Sequence, residues 1–196
     1  HVVTRRQRQM CIRDRRQRMT LATARPMIEC RVQAPAKVNL GLRVVGKRAD
    51  GLHLLDSVMA PISLYDRLTL RCALDETRTR SAATRITVTC DTPTIPAGAD
   101  NLAYRAAAQF AAHYGAIHAV SIHIEKGIPA GTGLGGGSSD AAAVLWQLNQ
   151  ILGAPFSQNA LVQRGAQLGA DIPFFLYGCP ARVQGAAPAR SPPRSA

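Results

Sequence analysis

No apolar run in this 196-residue sequence approaches the roughly 20 residues that a membrane-spanning helix requires. The N-terminus lacks the apolar stretch of a secretory leader, so neither a leader nor a membrane partner is expected. Cysteine is sparse and badly spaced for ligation. Cys11, Cys30, Cys72, Cys90 and Cys179 are odd in number and form no C-x-x-C pair. That spacing argues against a disulfide framework or a zinc site and points to reduced thiols in a cytoplasmic setting. Acidic residues are scarce at the two ends. Residues 1–27 hold eight Arg against one Asp, and residues 182–196 hold three Arg and no acid. The net charge of +12 therefore sits mainly in the tails, and the body between them is nearly neutral. A basic tail can bind nucleic acid without reading its sequence. The simpler reading is a solvated tail, and no specific nucleic acid is expected.

What is present is a patterned body between two unpatterned ends. Residues 1–27 show no apolar periodicity and read as a disordered basic tail. They are a candidate for non-native sequence, with Met19 or Met27 serving equally well as a start. From Ile28 onward, "IECRVQAPAKVNLGLRVVG" reads as one or two strands, followed by a turn at Asp50-Gly51. "LLDSVMAPISLYDRLTLRCAL" reads as a strand pair broken at Pro61, and residues 84–90 as a strand. "NLAYRAAAQFAAHYG" is a helix with Asp100 or Asn101 as cap and Gly115 as stop. "AVSIHIEKGIP" is a strand with His123 and Glu125 on one face. Helices are expected from about Ser139 to Leu152, and again after a cap at Ser157. "ADIPFFLYGCPA" reads as a short buried strand. The order suits an α+β fold, a mixed sheet packed on helices, spanning 28–181. Residues 182–196 read as a disordered tail and are a candidate for a truncated or frame-shifted end.

The densest signal is "IPAGTGLGGGSSDAAAVLWQLN". Gly131, Gly133, Gly135, Gly136 and Gly137 carry no Cβ, so their backbone can take positive φ and admit a close ligand. Ser138, Ser139 and Asp140 then open a helix whose first amides lack partners and whose end is partly positive. Loop and helix end together make an anion cradle, to which the serines add hydroxyls for a phosphate oxygen or a magnesium ion. A slack linker would lead to a domain boundary rather than directly into a helix. No Gly-Lys-Ser/Thr closes the loop, so it is not a Walker A segment. "GTGLGG" fits the dinucleotide spacing, but no acid follows about 20 residues on to hold a ribose.

"PAGTGLGGGSSDAAA" resembles the phosphate-binding motif of the GHMP kinases. "APAKVNLGLRVVGKRADGLH" and "LGADIPFFLYGCPA" resemble two further segments of one branch of that family. The three occur in the family's order, and the resemblance covers roughly 28–185. It implies a GHMP-kinase N-terminal domain and transfer of the ATP γ-phosphate to a hydroxyl, with Mg²⁺. In that branch the acceptor is the 2-hydroxyl of a cytidine diphosphate-linked methylerythritol, on an isoprenoid route. "KRADGLH" and "GGGSSDAA" favour it over homoserine, mevalonate or a sugar as acceptor.

The resemblance also implies roles. Asp171 is the catalytic base and Lys37 its catalytic partner. Asn39 and His53 bind substrate, with Leu52 where the family carries a tyrosine over the cytosine. ATP is bound by Pro129, Ala130, Gly131, Thr132, Gly133, Leu134, Gly135, Gly136, Gly137, Ser138 and Ser139. Asn101, Leu102 and Lys126 lie about the adenine, and Lys126 is also placed to reach phosphates. Ser139 is the candidate Mg²⁺ ligand. Unaided, Asp171 would read as a turn aspartate, Lys37 as a surface lysine and His53 as a turn histidine. The family chain continues for about another hundred residues, so this chain is expected to be an incomplete kinase with little or no turnover.

Overall fold

The computed structural model describes residues 27–47, 53–75 and 83–187. Two long strands organise it, β1 (Met27–Lys47) and β2 (His53–Leu74). They pair antiparallel along their whole length, from Met27 opposite Ala73 to Lys47 opposite His53. Short strands β3 (Arg85–Cys90) and β4 (Ile117–Glu125) pair parallel with each other, and β4 is antiparallel to β2. The crossover between them is helix α1 (Leu102–His113). Helices α2 (Gly136–Ile151), α3 (Gln158–Leu168) and α4 (Ile172–Tyr177) follow, and then strand β5 (Ala181–Ala187). The sheet order is β1-β2-β4-β3, with β5 also on β2. The second edge of β2 is thus divided. Residues 53–59 pair with β5 and residues 67–74 with β4, leaving a gap at 60–66.

Alternation explains which face is buried. Cys30, Val32 and Ala34 of β1, Leu68, Leu70 and Cys72 of β2, and Val120, Ile122 and Ile124 of β4 all point into one core. Their neighbours Arg31, Gln33, Arg67, Arg71, His123 and Glu125 lie on the exposed face. A sheet with one wet face and one packed face is the antiparallel norm. Helix α2 covers the packed face. Ala141 through Leu145 are wholly buried, and the run of small alanines lets the helix sit close to the sheet. Among the described residues no helix is long and apolar enough to cross a membrane.

Four local expectations are corrected. The strands read as a pair broken at Pro61 are one strand. The irregularity is a bulge between Pro35 and Ala36, where the partner steps from Tyr65 to Ile62. Pro35 has no N–H to give the ladder, which suits it to a bulge. The expected strand at "ADIPFFLYGCPA" is helix α4. Ile172, Phe174, Phe175 and Leu176 are all buried, so burial alone fits either period. Pro173 is tolerated in a first helical turn, and Gly178 closes the helix in the left-handed region at φ 67°. Helix α1 ends at His113 with Tyr114 as its cap, ahead of Gly115. The body also runs past 181, because Arg182–Ala187 belong to β5. Residues 1–26 and 188–196, and the Asp50-Gly51 turn with Leu52, lie outside the described residues. Cys30, Cys72, Cys90 and Cys179 are free thiols.

Candidate active site

The loop between β4 and α2 is built from left-handed glycines. Gly131, Gly133 and Gly135 have φ of 74°, 81° and 77°. Thr132 Oγ1 donates to the Pro129 carbonyl at 2.9 Å and tightens the turn. Gly135 is the N-cap of α2 and offers no side-chain cap, so the first-turn amides of that helix face outward without a side-chain partner. A cleft of about 240 Å³ opens over them. One wall is Pro129 to Gly137. The other is Ile95, Pro96, Asp100, Asn101 and Leu102, with Lys126 and Asp140 also reaching the surface of the cleft.

Asn101 is committed to structure as well as to the wall. Its Oδ1 accepts the Ala103 amide at 2.8 Å and caps α1, while its Nδ2 donates to the Pro96 carbonyl at 2.7 Å. Ser139 is 1% exposed, and its hydroxyl has no hydrogen-bond partner. Ser138 is half-buried.

Lys37 and Asp171 meet at one end of this loop. The two come from β1 and the start of α4, and Lys37 Nζ lies 3.7 Å from Asp171 Oδ2. The Lys37 side chain is 6% exposed and that of Asp171 32%. Asp171 makes no capping bond to α4, so its carboxylate is left for Lys37. Lys37 Nζ also donates to Asn39 Oδ1 at 3.2 Å, and Ser57 Oγ donates to the same oxygen at 3.3 Å. The two-residue spacing on a strand therefore does place Lys37 and Asn39 side by side. The backbone of His53 starts β2, opposite Lys47 and Ala187.

Two carboxylates take no site role from sequence, which reads Asp140 only as part of the helix opening. Asp66 is wholly buried and Asp140 is 3% exposed, and both bind Lys126 Nζ. Asp66 had a legible signal, since it shares the inward parity of Leu68, Leu70 and Cys72. Asp140 precedes three wholly buried alanines in α2, an odd place for an acid. Burial pushes the Asp140 carboxyl up to about 7; Lys126 opposes the shift and Asp66 adds to it. The Lys126 ammonium is moved upward, because Asp140 and Asp66 together outweigh its burial. Among the described residues no cluster of three His, Cys, Asp or Glu could hold a metal by itself.

Residues 101–179 match the family model for the GHMP kinases N terminal domain. The chain carries a GHMP kinase N-terminal domain. Its sequence is 46% identical over 152 residues to the 4-diphosphocytidyl-2-C-methyl-D-erythritol kinase of Syntrophotalea carbinolica, covering 78% of this chain and 51% of that one. The kinase of the same name from Methylacidiphilum infernorum is 45% identical, with 78% and 50% covered. A crystal structure of 4-(cytidine 5'-diphospho)-2C-methyl-D-erythritol kinase superposes with a TM-score of 0.62 at 40% identity, covering 83% of this chain and 56% of that one. The chain thus spans about half the length of the curated relatives it matches. Within the GHMP domain lie the glycine loop and Asp171, while Lys37 reaches them from the long strand that precedes it.

Proposed function

We infer that this chain supplies the nucleotide cradle and the acid–base pair of a small-molecule kinase. It transfers the γ-phosphate of ATP to the 2-hydroxyl of 4-diphosphocytidyl-2-C-methyl-D-erythritol. The observation that carries this is the Lys37–Asp171 pair, 3.7 Å apart, at the end of a left-handed glycine loop. Phosphoryl transfer asks the protein for position and charge more than for covalent chemistry. The loop amides and the open end of α2 supply donors for the phosphates. The wall of Ile95, Pro96 and Leu102 is apolar and suits a nucleobase. Asn101 shapes that wall through its bonds to Pro96 and Ala103.

Asp171 accepts the proton of the attacking hydroxyl as the bond to phosphorus forms. The Lys37 ammonium beside it orients that hydroxyl and offsets the negative charge gathering there. Asn39, whose Oδ1 accepts from Lys37 and Ser57, hydrogen-bonds the same substrate in this reading. The identity of that substrate rests on the relatives, which share one name at 42–46% identity. His53 and Leu52 are assigned to the cytidine end on the strength of the family resemblance.

The Ser139 hydroxyl has no hydrogen-bond partner, but it is enclosed and does not line the cleft, so a magnesium ion held there would need the first turn of α2 to open toward the phosphates. Bound there, the ion would neutralise phosphate charge.

Calorimetric titration with ATP, combined with ³¹P NMR of mixtures with the cytidyl compound, homoserine or mevalonate, tests the reading. ATP binding is expected, with any transfer confined to the cytidyl compound. A chain that does not bind ATP, or that phosphorylates homoserine or mevalonate instead, removes it.

A further inference from the structure

One buried charged cluster lies behind the glycine loop, apart from the Lys37–Asp171 pair. Asp66 sits on β2 at the gap in its second edge, one residue before pairing with β4 begins at Arg67. Strand β4 leaves the sheet after Glu125, so the next amides lose their ladder partners. The Lys126 amide donates to Asp91 Oδ1 at 3.0 Å, and the Asp66 side chain takes over the two after it. Its Oδ1 accepts both the Gly127 and Ile128 amides at 2.8 Å, and its Oδ2 accepts from Lys126 Nζ. The same ammonium donates to Asp140 Oδ2 at 3.2 Å.

The cluster also touches the far end of the loop. A Cβ on Gly136 would lie 3.1 Å from Lys126 Nζ and 3.2 Å from Asp66 Oδ2. Entry and exit of the loop are thus held on one buried carboxylate and its cation. The Lys126 side chain is 9% exposed. Lys126 touches the cleft, but its ammonium already donates to Asp66 and Asp140, so a phosphate drawing it outward would compete with two buried carboxylates for the same charge.

We propose that Asp66 is a positioning residue for the phosphate-binding loop, and that Lys126 is its buried counter-ion rather than a ligand of the nucleotide. This rests on the nucleotide-binding reading above. A carboxylate that accepts two backbone amides fixes where the chain turns out of the sheet. That point sets the span from Ile128 to Gly136 and so the aim of the loop amides. Adenosine, which has no phosphates, does not use that aim.

The test titrates ATP and adenosine into the full chain and into Asp66→Asn, Lys126→Gln and the double variant. Asp66→Asn and Lys126→Gln are each expected to weaken ATP by about tenfold or more and adenosine by less than about twofold. The double variant is expected to be no weaker than the worse single one, as for groups acting as a unit. If Lys126 were a phosphate ligand, Asp66→Asn would release it, and ATP affinity would hold or rise while Lys126→Gln alone lost it. That result, or equal losses for ATP and adenosine, overturns the proposal. An unaltered chain that ignores ATP overturns the nucleotide reading itself. Should Asp66→Asn not fold, amide exchange on the unaltered chain decides. Protection of Gly127 and Ile128 by about a hundredfold or more supports the anchor, and exchange at the rate of an unstructured peptide refutes it.

Discussion

The backbone amide of Lys37 donates to the carbonyl of Leu134 at 2.9 Å. This bond joins the edge strand β1 to the glycine loop, and so joins the acid–base pair to the phosphate cradle. The side chains repeat the connection. A Cβ on Gly135 would fall 3.1 Å from Lys37 Cγ and 2.9 Å from Phe175 Cζ.

Gly135→Ala is therefore expected to destabilise the fold by about 1–3 kcal/mol, combining left-handed strain with overlap. Gly131→Ala shares the strain, at φ 74°, but would meet nothing within 4 Å. Urea denaturation should rank Gly135→Ala clearly below Gly131→Ala. Equal midpoints would show that the contact with Lys37 and Phe175 carries no weight.

In a chain completed to the length of its relatives, Asp171→Ala should lower phosphoryl transfer by about 10²–10⁴-fold while ATP affinity stays within about twofold, because a general base acts on the acceptor rather than on the nucleotide. Its side chain is about one-third exposed, so the fold should tolerate the loss. Transfer rate and ATP affinity falling together would point to a structural role instead.

Asp140 makes stability depend on pH. Its carboxyl is raised from 3.8 to about 7 by burial, with Lys126 and Asp66 facing it. The folded chain keeps a proton that the unfolded chain releases. This contribution is full below 3.8 and is lost as pH rises through about 7. Asp140→Asn removes the proton from the balance. Between pH 4 and 7 the unaltered chain should lose stability relative to Asp140→Asn, by up to about 1.4 kcal/mol per pH unit. Parallel denaturation curves across that range would refute the assignment.

Thiol reactivity should divide by burial. Burial pushes Cys30 up to about 11 and Cys72 up to about 12, and both face the core. Cys179 is exposed. Peptide mapping after a short exposure to a disulfide reagent at pH 8 should find Cys179 modified and Cys30 and Cys72 intact. Modification of Cys30 in the folded chain would mean that the β1–β2 core opens readily.

Much of this molecule was legible where local chemistry is decisive. The cap at Ser157, one of the two caps offered for α1, the shared face of His123 and Glu125, and left-handed backbone at Gly131, Gly133 and Gly135 follow from residue type and period, whereas Gly136 and Gly137 lie in the first turn of α2, which starts ahead of the expected Ser139. Asp171 is marked only by the family resemblance, since unaided it reads as a turn aspartate, and its pairing with Lys37 joins residues 134 positions apart, which no local pattern can give. Helix α4 was misread because four neighbouring buried apolar residues erase the difference between periods 2 and 3.6. The family resemblance places Lys126 about the adenine and within reach of phosphates, and it does line the cleft, but sequence gives no sign of its buried partners. The two carboxylates that bind its ammonium come from β2 and α2, 60 and 14 positions away.

The divided edge of β2 has a consequence for how this chain tolerates length changes. Ser57 and Met59 face inward at odd positions, whereas Asp66, Leu68, Leu70 and Cys72 do so at even ones. The stretch Ala60–Tyr65 thus contains a built-in change of phase. A single residue inserted or deleted there would cancel it and turn one half of the strand inside out. Either Ser57 would swing away from Asn39, or Asp66 would leave the loop it holds. Homologues free to vary the side chains of this segment would therefore still keep its residue count.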